Sequence, residues 1–210
     1  MKKIGVIGSG QWAFALSKVL KKNQIIIKCR NLKKANKVFL KLKRQNLTDN
    51  FSSLQNCEYI FLAIPSQSIR ENLKKLKTQT KDLKSNFVIC CKGVEKKTNK
   101  LISEILFDFF PKSNFAILSG PNFSSEVIRG LPTAAVLSSD KKDILMQTST
   151  IISQEKFRTY FNTDIIGTQI GGAMKNVIAI ASGLIIGKNL GNNAKAAIIT
   201  RGLSETVQLG

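Results

Sequence analysis

The N-terminal stretch KIGVIGSGQWAFA, residues 3–15, constrains the fold more than any other part of this chain. An apolar run leads into Gly8-Ser9-Gly10, and a segment of helix-forming residues follows at once. This order is typical of a β-strand, a tight glycine turn and an α-helix at the start of a βαβ unit. It predicts the opening of an α/β domain.

A secretory signal peptide is the competing interpretation of the same residues, with two lysines, an apolar run and Ala13-Phe14-Ala15 as the cleavage site. It is disfavoured because glycines interrupt the apolar run and because a second strand pattern begins at Gln24. Gly8, Gly10 and Ala13 instead match GxGxxA, a variant of the dinucleotide-binding fingerprint. The first glycine permits the turn, the second lets a pyrophosphate approach the backbone, and the small third residue lets helix and strand pack closely.

Short apolar runs and helical patterns alternate over the following hundred residues. Apolar runs bounded by polar residues or glycine predict strands over residues 3–7, 24–29, 59–64, 86–91 and 114–119. Apolar positions three and four apart predict helices over 12–21, 32–43, 66–77 and 98–110. This order predicts a doubly wound, Rossmann-like parallel sheet that binds its ligand at the carboxyl ends of the strands.

The pattern changes near residue 162. Asn162-Thr163-Asp164 is a helix-start signal, and the small and aliphatic residues 165–186 predict a buried helix. A loop rich in Gly and Asn over 187–193 precedes another helical pattern over 194–209. We therefore expect a dinucleotide-binding domain over residues 1–160 and the first helices of an incomplete, all-helical substrate domain over 161–210.

The composition limits the function. The net charge is +20, but the lysines are dispersed and not interleaved with aromatic residues. This favours a solvated, lysine-rich surface over a nucleic-acid interface, while the charge can still concentrate anionic small molecules. The chain has no histidine, which excludes zinc sites of Cys/His type and nucleophiles of Ser/His/Asp or Cys/His type. No metal site is expected.

The cysteines and the hydropathy bear on location. The four cysteines, Cys29, Cys57, Cys90 and Cys91, show neither CxxC spacing nor a disulfide framework. No apolar run reaches the roughly eighteen uninterrupted residues that a membrane helix needs, so no integral membrane segment is predicted. Both features fit a reduced, cytoplasmic compartment.

The end of the second predicted strand bears on the choice of cofactor. Sites that prefer NAD place an acidic residue about twenty positions after the fingerprint, to hold the ribose 2′-hydroxyl. The corresponding residues, Lys28-Cys29-Arg30-Asn31, include no carboxylate. Arg30 suits a 2′-phosphate, so NADP(H) is favoured and NAD(H) stays open. The alternative is that Arg30 is one more exposed basic residue.

Lys175 interrupts the long apolar helix predicted over 165–186, where a charge is costly unless it is used or paired. Gly171 and Ala179 lie four residues to either side, so small residues flank the amine and leave room for a ligand. A lysine in such a place can exchange a proton with a carbonyl or an alcohol. The alternative is a lysine that extends to solvent at a domain edge.

Four segments together resemble the bacterial NAD(P)-dependent glycerol-3-phosphate dehydrogenases. They are KGVEKKTNKLISEIL (92–106), SGPNFSSEVIRGLPTAAV (119–136), FRTYFNTDIIGTQIGGAMKNVIAIASG (157–183) and NLGNNAKAAIITRGLSE (189–205). The resemblance spans essentially the whole chain. It implies an oxidoreductase that reduces dihydroxyacetone phosphate to sn-glycerol 3-phosphate, reversibly, for glycerophospholipid synthesis.

The resemblance also implies roles for the residues that match these motifs. Lys175 is the expected catalytic acid/base, with Asn176 beside it. Asn122 stands where the family usually has a small hydroxyl residue. The expected substrate-binding residues are Lys92, Gly120, Asn122 and Lys175, and the expected cofactor-binding residues are Gly8, Gly10, Gln11, Trp12, Arg30, Lys92 and Ser124.

The resemblance has one departure. The family continues into helices that carry an aspartate near the reaction centre and a phosphate-binding Ser-Arg-Asn motif, and neither occurs before Gly210. We therefore expect a chain truncated at its C-terminus, in which cofactor binding outlasts catalysis and which is an inactive fragment if catalysis needs the missing helices.

Two other functions stay open from the residues alone. One is an NADP-dependent reductase of another small oxo or hydroxy acid, and the other is a noncatalytic protein that binds anions or nucleic acid through its charge. The expected partners are the triose phosphate and its reduced product, with no nucleic acid. The oligomeric state is open, a homodimer included.

Overall fold

The apolar runs of the sequence form the centre of an eight-stranded sheet in the computed structural model, which describes residues 1–40 and 45–210. The strands are β1 (Lys3–Ile7), β2 (Gln24–Lys28), β3 (Gln45–Thr48), β4 (Tyr59–Leu62), β5 (Asn86–Ile89), β6 (Phe115–Ser119), β7 (Thr133–Ser138) and β8 (Phe157–Asn162). Their order across the sheet is β3-β2-β1-β4-β5-β6-β7-β8. The strand order reverses at β1, which lies between β2 and β4.

Helices cover both faces of this sheet, as a doubly wound fold requires. The helices are α1 (Gln11–Val19), α2 (Leu32–Phe39), α3 (Ile69–Gln79), α4 (Ile102–Phe109), α5 (Ser124–Arg129), α6 (Lys142–Ile152), α7 (Ile165–Gly187) and α8 (Gly191–Leu209). One buried layer holds side chains of α1, α2, α5 and α6, and the other holds side chains of α3 and α4. The predicted α/β class with a following helical segment is confirmed.

The predicted strands and helices differ from the observed ones mainly at their ends. β2, β4 and β5 stop one or two residues early, because Cys29, Ile64 and Cys91 belong to the loops that leave the carboxyl edge. The helix predicted over 66–77 begins with a 3₁₀ turn at Ser66–Ser68, and that over 98–110 begins at Ile102. α2 ends at Phe39, and residues 41–43 of that prediction lie outside the described residues.

The sheet is mixed, not fully parallel as predicted, because β7 runs antiparallel to β6. The helix between them, α5, has six residues and is about 9 Å long. A strand of five or six residues spans about 17 to 20 Å, so such a helix cannot carry the chain back to the starting edge. The longer α6 connects β7 to β8, and that pair is parallel.

The long helix α7 is mostly exposed, which corrects the predicted buried helix. Only Gln169 and Gly172 are buried along its length, where it contacts the sheet domain. α8 begins at Gly191, inside the predicted loop, and packs along α7. Exposed apolar side chains on this pair include Val177, Ile180, Leu184, Leu203 and Val207.

α7 also bears on the expectation that the chain has no integral membrane segment. Within the described residues, it is the one helix long and apolar enough to cross a membrane, with a mean hydropathy of 1.6 over an 18-residue window. A core helix of a soluble protein meets the same criterion, so length and composition do not decide between the two.

Candidate functional site

The glycine turn after β1 borders a cavity of about 390 Å³ at the carboxyl ends of β1, β2 and β4. Gly8 has φ +132°, and a Cβ there would lie 2.3 Å from the carbonyl oxygen of Ala63 on the neighbouring loop. Gly10 is different, because a Cβ there would meet no atom within 4 Å. The turn is therefore closed on the sheet side and open on the side where the fingerprint places a pyrophosphate.

The first turn of α1 is suited to an anion. Gly10 is its N-cap and supplies no side chain, and the first turn carries no acidic residue. The backbone N–H groups at this end keep their capacity to donate, and the helix dipole favours negative charge there. Ala13 is fully buried, which lets α1 pack against the sheet as the third fingerprint position requires. These features fit a dinucleotide.

Basic residues from the end of β2, the loop after it and α3 reach the same cavity. Arg30 is exposed and lines it, at the position predicted for contact with the ribose. Lys28 and Lys75 line it as well, and Lys75 forms an ion pair of 2.6 Å with Glu71. The described lining residues thus include three cationic side chains and one carboxylate.

Lys92 lies on the loop after β5, the next strand beyond β4 in the sheet. Its Nζ donates to the carbonyl oxygen of Gly120 at 2.9 Å. Burial, followed by repulsion from Lys175, lowers the pKa of the Lys92 amine to about 8. The two lysines are therefore close enough to interact electrostatically, although they come from different parts of the chain. An anion between them would relieve that repulsion.

Lys175 lines a second cavity of about 470 Å³, where α7 faces the end of β6. Gly120 and Gly171 line this cavity too, and a Cβ on Gly171 would meet no atom within 4 Å. The Lys175 amine lies 5.9 Å from the centre of the Phe123 ring. The amine therefore borders open space beside Gly171.

Gly120 lines this second cavity, and Asn122, two residues further along the chain, packs beside Gly120. Gly120 has φ +151°, and a Cβ there would lie 2.9 Å from Asn122 Oδ1. Asn122 Nδ2 donates to the carbonyl oxygen of Ala134 on β7 at 2.7 Å. This amide contact fixes the loop against the sheet.

Like Lys92 and Asn122, the remaining predicted residues lie outside the two described cavity linings. They are Gln11, Trp12, Ser124 and Asn176. Gln11 and Asn176 are exposed, and Trp12 packs against the core beneath α1. Ser124 begins α5, which packs on α1 and accepts a hydrogen bond at Ile128 O from Lys18 Nζ at 2.8 Å. The structure thus brings Ser124 to the α1 side of the sheet.

Two residues that the sequence prediction missed hold α7 in place. Gln169 Oε1 accepts from the Ser103 backbone at 3.1 Å and its Nε2 donates to Ser103 Oγ at 2.9 Å. Gly172 approaches the end of β6 so closely that a Cβ would lie 2.7 Å from Ser119 Oγ. A glutamine within an apolar helical pattern, three residues before a glycine, was the sequence signal that could have identified these two residues. Both residues set the position of Lys175 relative to Lys92.

The loop that carries Lys92 is also anchored from α3. Arg70 binds Glu95 through Nε and Nη2 at 2.8 to 3.0 Å, and Thr98 Oγ1 donates to the same carboxylate at 2.6 Å. Gln67 Nε2 donates to Val94 O at 2.8 Å. These contacts, led by those of Arg70, hold the pKa of Glu95 at about 2.

The cysteines and acidic residues complete the description. All four cysteines are free thiols, and Cys29, Cys57 and Cys90 are buried. Among residues 1–40 and 45–210, no group of three His, Cys, Asp or Glu side chains could hold a metal ion.

The switch in strand order at β1, the glycine turn and the open helix N-terminus define a dinucleotide-binding protein of the Rossmann type. Two family models match the chain: the NAD-dependent glycerol-3-phosphate dehydrogenase N-terminus over residues 3–145 and the C-terminus of the same enzyme over residues 164–210. The chain belongs to this family.

Individual relatives agree with that assignment. Glycerol-3-phosphate dehydrogenase [NAD(P)+] of Zymomonas mobilis is 36% identical over 99% of this chain, and that of Fusobacterium nucleatum is 39% identical over 100%. A crystal structure of glycerol-3-phosphate dehydrogenase from Coxiella burnetii superposes with a TM-score of 0.91 at 28% identity, covering 99% of this chain and 68% of its own. The chain spans 64% of the Zymomonas relative and 68% of the Fusobacterium relative, about two thirds of their length.

Proposed function

We propose that this chain carries the cofactor site and the proton-transfer lysine of an NAD(P)H-dependent reduction of dihydroxyacetone phosphate to sn-glycerol 3-phosphate. One observation supports this most directly. Lys175 and Gly120 line one cavity, and Lys92, which donates to Gly120, is within electrostatic range of Lys175. The cavity at the glycine turn opens at the neighbouring strands β1, β2 and β4. The relatives' names supply the substrate and the NAD(P) cofactor.

The reaction needs a hydride and a proton. A reduced dinucleotide held at Gly8, Gly10 and Arg30 would supply the hydride. In this proposal the Lys175 ammonium donates a proton to the carbonyl oxygen, and in the reverse direction its amine accepts the proton from the alcohol. Gly171 leaves the space beside Lys175 that the carbonyl group requires. Asn176, one residue further along the helix, is the proposed neighbour of this group.

Lys92 has a different proposed role. Its ammonium donates to the carbonyl oxygen of Gly120, a residue of the second cavity, and in this proposal it stabilises negative charge there. The substrate and the cofactor both carry phosphate, so a cation at this point serves both. Gly120 and Asn122 complete the proposed substrate site. Gly8, Gly10, Gln11, Trp12, Arg30 and Ser124 complete the proposed cofactor site.

Three wider features of the proposal follow from the family. We assign residues 1–160 to the dinucleotide-binding domain and 161–210 to the helical substrate domain, with Phe161 and Asn162 of β8 extending the sheet past that boundary. The product is the backbone of glycerophospholipids. A cytoplasmic location is consistent with four free thiols.

The experiment compares the chain with Lys175→Met and, as a control, with Lys188→Met at the exposed end of α7. We expect the unaltered chain to oxidise NADPH only when dihydroxyacetone phosphate is present. The turnover rate should fall about 100-fold or more in Lys175→Met, on the order expected for loss of a proton-transfer group. It should not fall in Lys188→Met. NADPH binding by fluorescence titration should be retained in both variants.

Two outcomes would contradict the proposal. Turnover by Lys175→Met close to that of the unaltered chain would remove the proton-transfer role. NADPH binding without any oxidation on addition of dihydroxyacetone phosphate would leave the cofactor site and remove the catalytic assignment for this chain. Pyruvate and oxaloacetate, offered in parallel, test the alternative of another small oxo acid.

A further inference from the structure

Lys28, the last residue of β2, is a lysine in an unusual place. It is 9% exposed, and its side chain lies on the face of the sheet that packs against the 3₁₀ turn at Phe51–Leu54. Its Nζ lies 4.1 Å from the centre of the Phe51 ring and donates to the Cys29 carbonyl oxygen at 3.3 Å. Within the described residues, no carboxylate lies within ion-pair distance of this amine.

Such a group is costly to bury. An ammonium has three donors, and Lys28 uses one of them in a long hydrogen bond. Burial lowers the pKa of the Lys28 amine, and repulsion from Lys75 adds to this, while the electrostatic effects of Cys29 and Asp49 oppose it. A hydrophobic residue of the same length would fill this space at lower cost. Asp49 attracts this charge from a distance, but within the described residues no carboxylate forms an ion pair with the Lys28 amine, which leaves donors free for an anionic ligand.

The place of Lys28 indicates which anion this is. Lys28 lines the same cavity as Gly8, Gly10 and Arg30. In a doubly wound sheet the pyrophosphate lies at the glycine turn and the N-terminus of the first helix, whereas the ribose of the adenosine half reaches the end of the second strand. Lys28 and Arg30 flank that end. Lys75 also lines the cavity, but Glu71 already pairs with it.

We propose that Lys28 determines cofactor specificity together with Arg30, by binding the phosphate on the 2′ position of the adenosine ribose. This inference rests on the proposed function, since it presupposes that the cavity holds NAD(P). Arg30 approaches the phosphate from the exposed side and Lys28 from the buried side, where the ion pair is less screened by water. The buried cation gains the partner that it lacks in the free protein.

The experiment measures dissociation constants for NADPH and NADH by fluorescence titration. The variants are Lys28→Met, Lys28→Gln, Lys28→Arg and Arg30→Met, with Lys22→Met as the control at an exposed site away from the cavity. In both neutral variants at position 28 we expect the dissociation constant of NADPH to rise about tenfold or more, as for loss of a charge-assisted contact. The dissociation constant of NADH should stay within about twofold of that of the unaltered chain. Lys28→Arg should retain most of the preference, and Lys22→Met should match the unaltered chain.

Adenosine 2′,5′-bisphosphate and AMP serve as probes without the nicotinamide half. The bisphosphate should lose affinity in Lys28→Met, while AMP should not. An equal loss of affinity for NADPH and NADH would show that Lys28 acts at the pyrophosphate or in packing alone, and would overturn the proposal. Unchanged affinities in the neutral variants would overturn it as well. If the unaltered chain binds neither NADPH nor NADH, the proposed function itself fails. If the unaltered chain binds them and only the effect of the Lys28 variants is absent, the proposal for Lys28 alone fails.

Discussion

At the scale of single residues, the two glycines of the fingerprint have separable physical roles. Gly8 adopts a left-handed φ against the Ala63 carbonyl, so the fold itself requires glycine there. Gly10 has φ −82° and open space around it, so the fold alone would accept a side chain. Only a ligand that approaches the backbone gives a reason for glycine at the second position.

This contrast gives a prediction on a matched pair of variants. Gly8→Ala should lower the free energy of unfolding by at least about 2 kcal/mol, because of the strained φ and the contact with the backbone. Gly10→Ala should change it by less than about 0.5 kcal/mol, since it adds a methyl group to open space. Urea unfolding followed by circular dichroism measures both.

NADPH titration completes the comparison. Gly10→Ala should weaken NADPH severalfold or more despite its unchanged stability, since the methyl group occupies the path of the pyrophosphate. Tight NADPH binding by a stable Gly10→Ala would argue that the cofactor does not cross this turn.

At the scale of elements, the position of Lys92 depends on α3 and the position of Lys175 depends on α4. Arg70 on α3 binds Glu95 in the loop after β5, and Ser103 on α4 binds Gln169 on α7. Both anchors pair a polar group of one segment with a helix distant in the chain. The two lysines therefore meet because two helices of the sheet domain hold the segments that carry them.

The Arg70–Glu95 anchor predicts a pH-dependent stability. The pKa of Glu95 is lowered from 4.5 to about 2 in the folded chain, so the carboxylate stabilises the fold above pH 4.5. That contribution is lost progressively as the pH falls toward 2, because protonation removes the charge that Arg70 binds. Glu95→Gln should thus destabilise the chain at pH 7, and its difference from the unaltered chain should shrink at pH 3.

Urea unfolding at the two pH values measures this difference. Glu205→Gln is the control, since Glu205 forms an exposed pair with Arg201 along α8 and such pairs contribute little. A Glu95→Gln deficit of the same size at pH 7 and pH 3 would show that the carboxylate charge is not what stabilises the loop.

Also at this scale, two of the three strands that the sequence prediction missed, β3 and β8 but not the interior β7, share a physical cause. β3 and β8 are the two edges of the sheet, and of the six residues of β8 only Phe157 is buried. An edge strand has a neighbour on one side and solvent on the other, so it needs no continuous apolar run. The central strands β1 and β4 are buried along almost their whole length, and the apolar pattern predicted them.

At the scale of the whole molecule, the net charge of +20 acts on every anionic ligand. The cavity at the glycine turn, the proposed cofactor site, adds a local excess of cationic side chains to this general field. Long-range attraction of this kind is screened by salt, with a Debye length near 10 Å at 0.1 M.

We therefore expect the dissociation constant of NADPH to rise severalfold between 50 and 500 mM NaCl, and that of NADH to rise less because it lacks the 2′-phosphate. Fluorescence titration at several salt concentrations measures both. If the dissociation constants of NADPH and NADH rise by the same factor with salt, the 2′-phosphate does not contribute to the salt dependence.

The sequence by itself determined the repeating strand and helix order, the dinucleotide turn and the family, because each depends on local periodicity or on residues close together in the chain. It also identified Arg30, Lys92 and Lys175 as separate candidates. Tertiary structure alone decided the antiparallel β7, the exposure of α7, the meeting of Lys92 with Lys175 and the burial of Lys28. These features depend on how segments far apart in the sequence pack together, and a contact between two distant segments has no local pattern in either of them.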